Sequence, residues 1–191
     1  MRKLLLLNLA ALSPHEVSAQ TPNLAALAEA GQLSPMRESF PSLTCTSHAT
    51  MLTGTSPSEH GIVGNGWYER QHAKVFMWNR SAHHVEAEFL WDTARKHHPN
   101  LRCANLFWRF AADSSADLQV TERPVYWSSG RKTFDFYTAP VSLHDRLVAS
   151  FGKFPFMNFW GPFAGIKSTE WILGAIGQVI EQDDPELVLG Y

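Results

Sequence analysis

Short apolar runs alternate with helical patterns along the whole chain, and this alternation constrains the fold more than any other feature. Leu4 to Leu7 is a run of four leucines closed by turn signals, Leu101 to Trp108 is a second apolar run after the Pro99-Asn100 turn, and Leu187-Val188-Leu189 begins a third. Continuous apolar runs of this length match strands buried on both faces. Between them, Thr21-Pro22-Asn23 starts a helix expected from Pro22 to about Ala30 and capped by Gly31, with Leu24 and Leu27 on its apolar face. A second helix is expected from about Cys45 to Thr53, closed by Gly54, with Thr44 at its N-terminus. Helical spacing recurs over Glu86–His97, Val141–Phe151 and Ser168–Glu181. Trp67-Tyr68 and Val75 to Trp78 read as a hairpin or short strands in a surface excursion around 66–85, and the proline-rich stretch from Arg123 to Pro140 as irregular. Strands separated by helices of this kind predict an α/β fold with a largely parallel sheet flanked by helices.

Composition bounds the function classes. A hydrophobic content of 45% supplies one sizeable core, and no interior linker or repeat divides the chain. The net charge of −2 is scattered, which argues against structural nucleic-acid binding. No stretch approaches the ~20 apolar residues of a membrane-spanning helix, so no membrane partner is expected. Met1-Arg2-Lys3 before the leucines, with small residues near Ala19, also fits a secretory signal. Asn8 interrupts that apolar run and Glu16 sits near the cleavage point, so the expectation is a cytoplasmic protein, with secretion or a periplasmic location as the alternative. Cys45 and Cys103 have no C-x-x-C spacing and read as buried thiols.

The chemistry lies in Phe40-Pro41-Ser42-Leu43-Thr44-Cys45-Thr46-Ser47-His48, continuing through Thr53-Gly54 to His60-Gly61-Ile62 and Asn65. A helix N-terminus offers free N–H groups and the positive end of the helix dipole to an anion, so Thr44 lies where a phosphate would bind. By itself a Thr in this position is most often a helix cap, and Asn65 between two glycines a turn residue. His48 reads as helix packing and His60 as loop support. The pairs His83-His84 and His97-His98 lack the i, i+4 spacing of a helical zinc pair and read as solvated surface. Trp67, Tyr68, Trp78, Phe107 and Trp108 could wall a pocket, with core packing the commoner use of most such residues.

This segment, together with Thr-Pro-Asn-Leu-Ala-Ala-Leu-Ala-Glu-Ala-Gly at 21–31, resembles the nucleophile region of type I phosphodiesterases and nucleotide pyrophosphatases of the alkaline phosphatase superfamily. The resemblance implies an alkaline-phosphatase-like fold of which residues 1–191 form the N-terminal part of one catalytic domain, incomplete at its C-terminus. It implies a metal-dependent hydrolase of phosphodiester or pyrophosphate bonds, acting on a small phosphodiester or nucleotide-like substrate. Thr44 would be the nucleophile, forming a phospho-threonine, and Asn65 a donor to a phosphate oxygen. Two divalent metal ions, taken as zinc, would be needed, with Thr44 bridging metal and phosphorus.

The resemblance has gaps. The family places a metal-binding Asp at the end of its first strand, where this chain reads Leu7-Asn8-Leu9-Ala10. Asn8 is the nearest candidate metal ligand; matching by distance to Pro14 places Ala10 there instead. The family's remaining Asp and His ligands follow a strand like 187–189 and so would lie beyond Tyr191. A sulfatase would need a C-x-P-x-R-like signature, whereas Cys45 is followed by Thr46-Ser47-His48-Ala49. A phosphonate or phosphomonoester hydrolase stays open. So does a truncated or non-catalytic relative acting as a binding domain, completed by a missing C-terminal half or a partner chain.

Overall fold

The structure, a computed structural model, describes residues 3–191. Its centre is a five-stranded sheet of β1 (Leu4–Leu7), β4 (Cys103–Leu106), β5 (Leu118–Tyr126), β6 (Lys132–Ala139) and β7 (Leu187–Gly190). The strands are arranged in the order β1-β7-β4-β5-β6. β1 pairs parallel with β7, β7 with β4 and β4 with β5; only β5 and β6 run antiparallel. The fold is therefore the largely parallel α/β sheet expected from the alternation. A separate hairpin joins β2 (Gly66–Glu69) to β3 (Lys74–Met77). The helices are α1 (Pro22–Ala30), α2 (Thr44–Thr53), α3 (Pro57–His60), α4 (Leu90–Arg95), α5 (Ser142–Phe151), α6 (Phe156–Phe159) and α7 (Ile166–Gln182).

Each face of the sheet has its own core. Successive side chains of a strand point to opposite faces, and β7 shows the consequence: Val188 packs with α5 and α7 through Leu143, Leu147, Ile172, Ala175, Ile176 and Val179. Leu187 and Leu189 pack on the other side, with Cys45, Ala49 and Leu52 of α2 and with Trp91, Trp108 and Phe110. Positions 45, 49 and 52 recur at helical spacing, which is why α2 lays one side on the sheet. Cys45 and Cys103 are both buried free thiols.

Four readings of the sequence need correction. The Leu4–Leu7 run, read as a strand buried on both faces, is the edge strand β1, with Leu4, Leu5 and Leu7 exposed because only β7 pairs with it. The stretch from Arg123 to Pro140 is mostly ordered strand: β5 and β6 pair from Gln119↔Ala139 to Tyr126↔Lys132, around a turn where Gly130 has a φ of 81°. Pro124 argued against a strand, but the neighbouring residues carry the ladder, and Thr133 to Thr138 has the β-branched and aromatic content of a strand. The helix expected over 86–97 is confined to Leu90–Arg95, because Phe89 is extended, with φ −77° and ψ 150°, and serves as the N-cap. On α1 the expected apolar face is not buried; Leu27 is 69% exposed. Among the described residues no helix is long and apolar enough to cross a membrane.

Strand register sets the position of the site. Leu7 of β1 and Leu106 of β4 both lie opposite Gly190 of β7, so three parallel strands end level with one another. The residues just past those ends, Asn8, Tyr191 and the turn after Leu106, meet at one rim. Open parallel sheets place ligands at this carboxyl end of their strands.

Candidate active site

At that rim opens a cleft of about 570 Å³. Its lining mixes polar groups, Asn8, Thr44, Arg109 and Tyr191, with the aromatic rings of Trp78 and Trp160 and the α7 side chains Ile172, Leu173 and Ile176.

Thr44 is the first residue of α2. The preceding Leu43 is the extended N-cap residue, with φ −121° and ψ 150°, so Thr44 is the first helical residue and not the cap. The common role for a Thr at a helix start is therefore not the one used here, and Thr44 lines the cleft. The first N–H groups of a helix have no partner within it. Asn65 takes one of them, its Oδ1 accepting from Cys45 N–H at 2.9 Å. Asn65 is held in turn by Trp78, whose N–H donates to the Asn65 carbonyl at 2.7 Å. The structure thus puts Thr44 and Asn8 in the cleft itself and Asn65 against the helix turn behind Thr44.

His48, one turn further along α2, links the strand ends. Its Nδ1 accepts the Arg109 backbone N–H at 3.0 Å, and its Nε2 lies 3.0 Å from the Asn8 amide. Burial, with the Arg109 charge second, lowers its pKa from 6.5 to about 3, so the imidazole is neutral at ordinary pH. The ring also packs against Trp108 at 4.8 Å and Tyr191 at 4.4 Å, so the packing role expected of it holds alongside these bonds. His60 does support its loop: Nδ1 accepts Ile62 N–H at 3.1 Å and Nε2 lies 3.0 Å from Thr50 Oγ1.

Arg109 was not recognisable in the sequence as a site residue. It sits in the turn after β4, between Phe107 and Phe110, both fully buried and with φ of 69° and 61°. Left-handed backbone at bulky residues costs on the order of 1–3 kcal/mol and persists where packing enforces it. Two such residues bend the chain back and bring Arg109 to the cleft. Its guanidinium bonds the buried Glu122, which also faces Arg80 Nε at 3.3 Å and accepts from Thr121 Oγ1 at 2.9 Å. Two guanidiniums against one carboxylate leave an excess positive charge beneath the cleft. Arg109 also stacks over Trp78 at 5.2 Å, and Trp78 meets Trp160 edge-on at 5.0 Å.

Tyr191 lines the same cleft. Burial raises its phenol above the usual range, while Arg109 and the Thr44 hydroxyl pull it back. Of the five aromatics considered from the sequence, only Trp78 lines the cleft; Phe107 and Trp108 are core. Trp160, Phe159 and Tyr191 carried no comparable signal, because their approach depends on tertiary register. His97 and His98 are exposed, as is His83, while His84 packs edge-on against Trp67 at 5.3 Å.

The residues present do not fit a two-metal site. Among the described residues no group of three or more His, Cys, Asp or Glu could hold an ion. Asn8, at the first-strand position, brings no charge.

The chain matches the profile of the type I phosphodiesterase / nucleotide pyrophosphatase family over residues 4–191. It is 43% identical over 58 residues to an uncharacterised pyrophosphatase/phosphodiesterase of Schizosaccharomyces pombe, a match covering 30% of this chain and 12% of that protein. It is 26% identical over 101 residues to alkaline phosphatase PhoD of Zymomonas mobilis, covering 44% of this chain and 18% of that protein. Its fold matches phosphonoacetate hydrolase of Sinorhizobium meliloti, solved with phosphonoformate, at a TM-score of 0.62 and 14% identity. That match covers 99% of this chain and 45% of the other, so the chain spans less than half the length of this relative. The structure solved with phosphonoacetate matches at a TM-score of 0.61. With residues 4–191 matched, the chain belongs to the type I phosphodiesterase / nucleotide pyrophosphatase family.

Proposed function

We propose that the protein is a hydrolase of the phosphodiesterase/pyrophosphatase type, that Thr44 is its nucleophile and that residues 4–191 form the N-terminal part of a single catalytic domain. The observation that carries this reading is the position of Thr44: the first residue of α2, not engaged as a cap, in a cleft shared with Asn8, Arg109 and Tyr191. A phosphoryl group beside Thr44 meets the α2 N-terminus and the excess charge of the Arg80–Glu122–Arg109 cluster. Thr44 Oγ1 then forms a bond to phosphorus as the bond to the leaving-group oxygen breaks and that oxygen takes up the hydroxyl proton; water next adds to phosphorus as the Oγ1–P bond breaks, and its proton restores the threonine hydroxyl. Asn65, with Oδ1 committed to Cys45 N–H, has only its NH2 end available to donate to a phosphate oxygen.

The aromatic lining supports a phosphodiester or pyrophosphate substrate with a flat leaving group. Trp78 and Trp160 offer aromatic faces, and the cleft is within the size range of small-ligand sites. Two divalent metal ions, zinc by resemblance, belong to the reading for the whole protein; the residues described here do not form their site. β1 is an edge strand with Leu4 and Leu5 exposed, which fits further chain or a partner packing beside it.

The test is hydrolysis of a chromogenic phosphodiester and the corresponding monoester by the full-length protein and its Thr44→Ala and Thr44→Ser variants. Diester turnover should vanish in Thr44→Ala and survive in part in Thr44→Ser. Wild-type turnover in Thr44→Ala contradicts the reading. A full-length protein without turnover favours the second reading, a binding domain using the free β1 edge.

A further inference from the structure

We infer that Asn8 is a direct oxyanion donor in the cleft and not a metal ligand, because His48 and the Arg109 backbone fix which end of its amide the ligand meets. The argument rests on the reading of the cleft as a phosphoryl site and adds to it how the first-strand position recognises its ligand.

His48 has two ring nitrogens and two neighbours. The Arg109 backbone N–H lies 3.0 Å from Nδ1 and can only donate, so Nδ1 must be the acceptor. An imidazole with an unprotonated Nδ1 carries its proton on Nε2. That proton points at the Asn8 amide, 3.0 Å away, where Nδ2 is placed. Two donors cannot bond each other, whereas a half-turn of the carboxamide exchanges oxygen and nitrogen at no steric cost. The consistent network runs Arg109 N–H to Nδ1, then Nε2–H to Asn8 Oδ1. Asn8 Oδ1 is then held by His48, and the NH2 is the end left for the cleft that Asn8 lines.

A neutral NH2 does not bind a cation; it donates to an anionic oxygen. The surroundings agree. Arg109, 5% exposed, lines the same cleft, and its Nε finds no acceptor among the described residues. The Glu122 carboxylate beneath it is outnumbered by Arg80 and Arg109. The ligand class is a tetrahedral oxyanion such as phosphate or phosphonate, held by Asn8 NH2 and the Arg109 charge. His48 is a positioning residue that acts through Asn8.

The test is ¹⁵N NMR of the full-length protein in excess EDTA, with inorganic phosphate as the probe. The expected results are His48 as the Nε2–H tautomer and a phosphate-dependent shift of the Asn8 side-chain NH2. Asn8→Asp keeps an acceptor for Nε2–H and so preserves the fold, but should weaken phosphate binding by about tenfold or more. An Nδ1–H tautomer, an Asn8 NH2 that does not respond to phosphate, or unchanged affinity in Asn8→Asp overturns the proposal. Turnover separates the two claims: its loss in Thr44→Ala upholds the nucleophile whether or not phosphate shifts the Asn8 NH2, so failure at Asn8 leaves the nucleophile reading standing, and the reverse.

Discussion

Asn65 Oδ1 accepts the Cys45 N–H at 2.9 Å, which ties Asn65 to the helix turn that begins with Thr44. One side chain thus serves the helix end with its oxygen and has its nitrogen left for a ligand. Substitutions can separate the two roles. Asn65→Asp keeps the acceptor and should hold stability within about 0.5 kcal/mol, while losing the donor should lower kcat/KM roughly 10²-fold. Asn65→Ala loses both and should also cost about 1 kcal/mol of stability. Denaturant melts beside diester kinetics distinguish the variants; equal activity loss without the stability difference would contradict the dual role.

Gly190 is where the three strand ends converge. Its carbonyl accepts both the Asn8 N–H at 2.9 Å and the Trp108 indole at 2.8 Å. A Cβ there would lie 2.4 Å from Ile176 Cδ1 and 2.8 Å from Leu7 Cδ2. Gly190→Ala should therefore force β1 and α7 apart, at about 1–3 kcal/mol. Thermal melting should fall, and activity should fall with it because Asn8 and Tyr191 flank this point. An unchanged Tm would refute the close packing.

Glu122 is completely buried between Arg80 and Arg109. Removing the carboxylate strands two charged groups, so Glu122→Ala should destabilise by about 3–5 kcal/mol. Chemical denaturation measures this directly, and a loss below about 1 kcal/mol would show that the arginines are solvated some other way.

His60 gives a pH dependence with a definite sign. Burial lowers its pKa, and its Nδ1 already accepts Ile62 N–H, so the folded state resists protonation. Between the lowered folded value and the ordinary value of 6.5, the unfolded chain binds more protons. Stability from this group is present above the ordinary value and is lost as pH falls through that window. His60→Asn keeps an acceptor for Ile62 N–H but cannot titrate, so its Tm should fall less between pH 7 and pH 5 than the wild-type Tm does. An equal fall in both would remove His60 as a source.

The helix start at Thr44 was legible because its signals are local: an extended Phe40-Pro41-Ser42 lead and a helix closed by Gly54. The alternation of apolar runs with helices was enough for the parallel sheet. What the sequence concealed depends on tertiary placement. Arg109 follows β4 like any loop residue until two left-handed phenylalanines turn it inward. His48 belongs to a helix whose buried side is evident, but nothing local says that Asn8 and the Arg109 N–H meet its two nitrogens. The β5–β6 hairpin was hidden by Pro124, since proline weighs against a strand wherever the surrounding ladder is not known.

Covalent chemistry at Thr44 leaves an intermediate that can be trapped. The full-length protein would be mixed with a phosphodiester substrate, quenched in acid during turnover, digested and mapped by mass spectrometry. The account predicts a substrate-derived phosphoryl adduct on the peptide carrying Thr44, absent from Thr44→Ala. Turnover with no adduct at Thr44, or with the adduct on another residue, would contradict it.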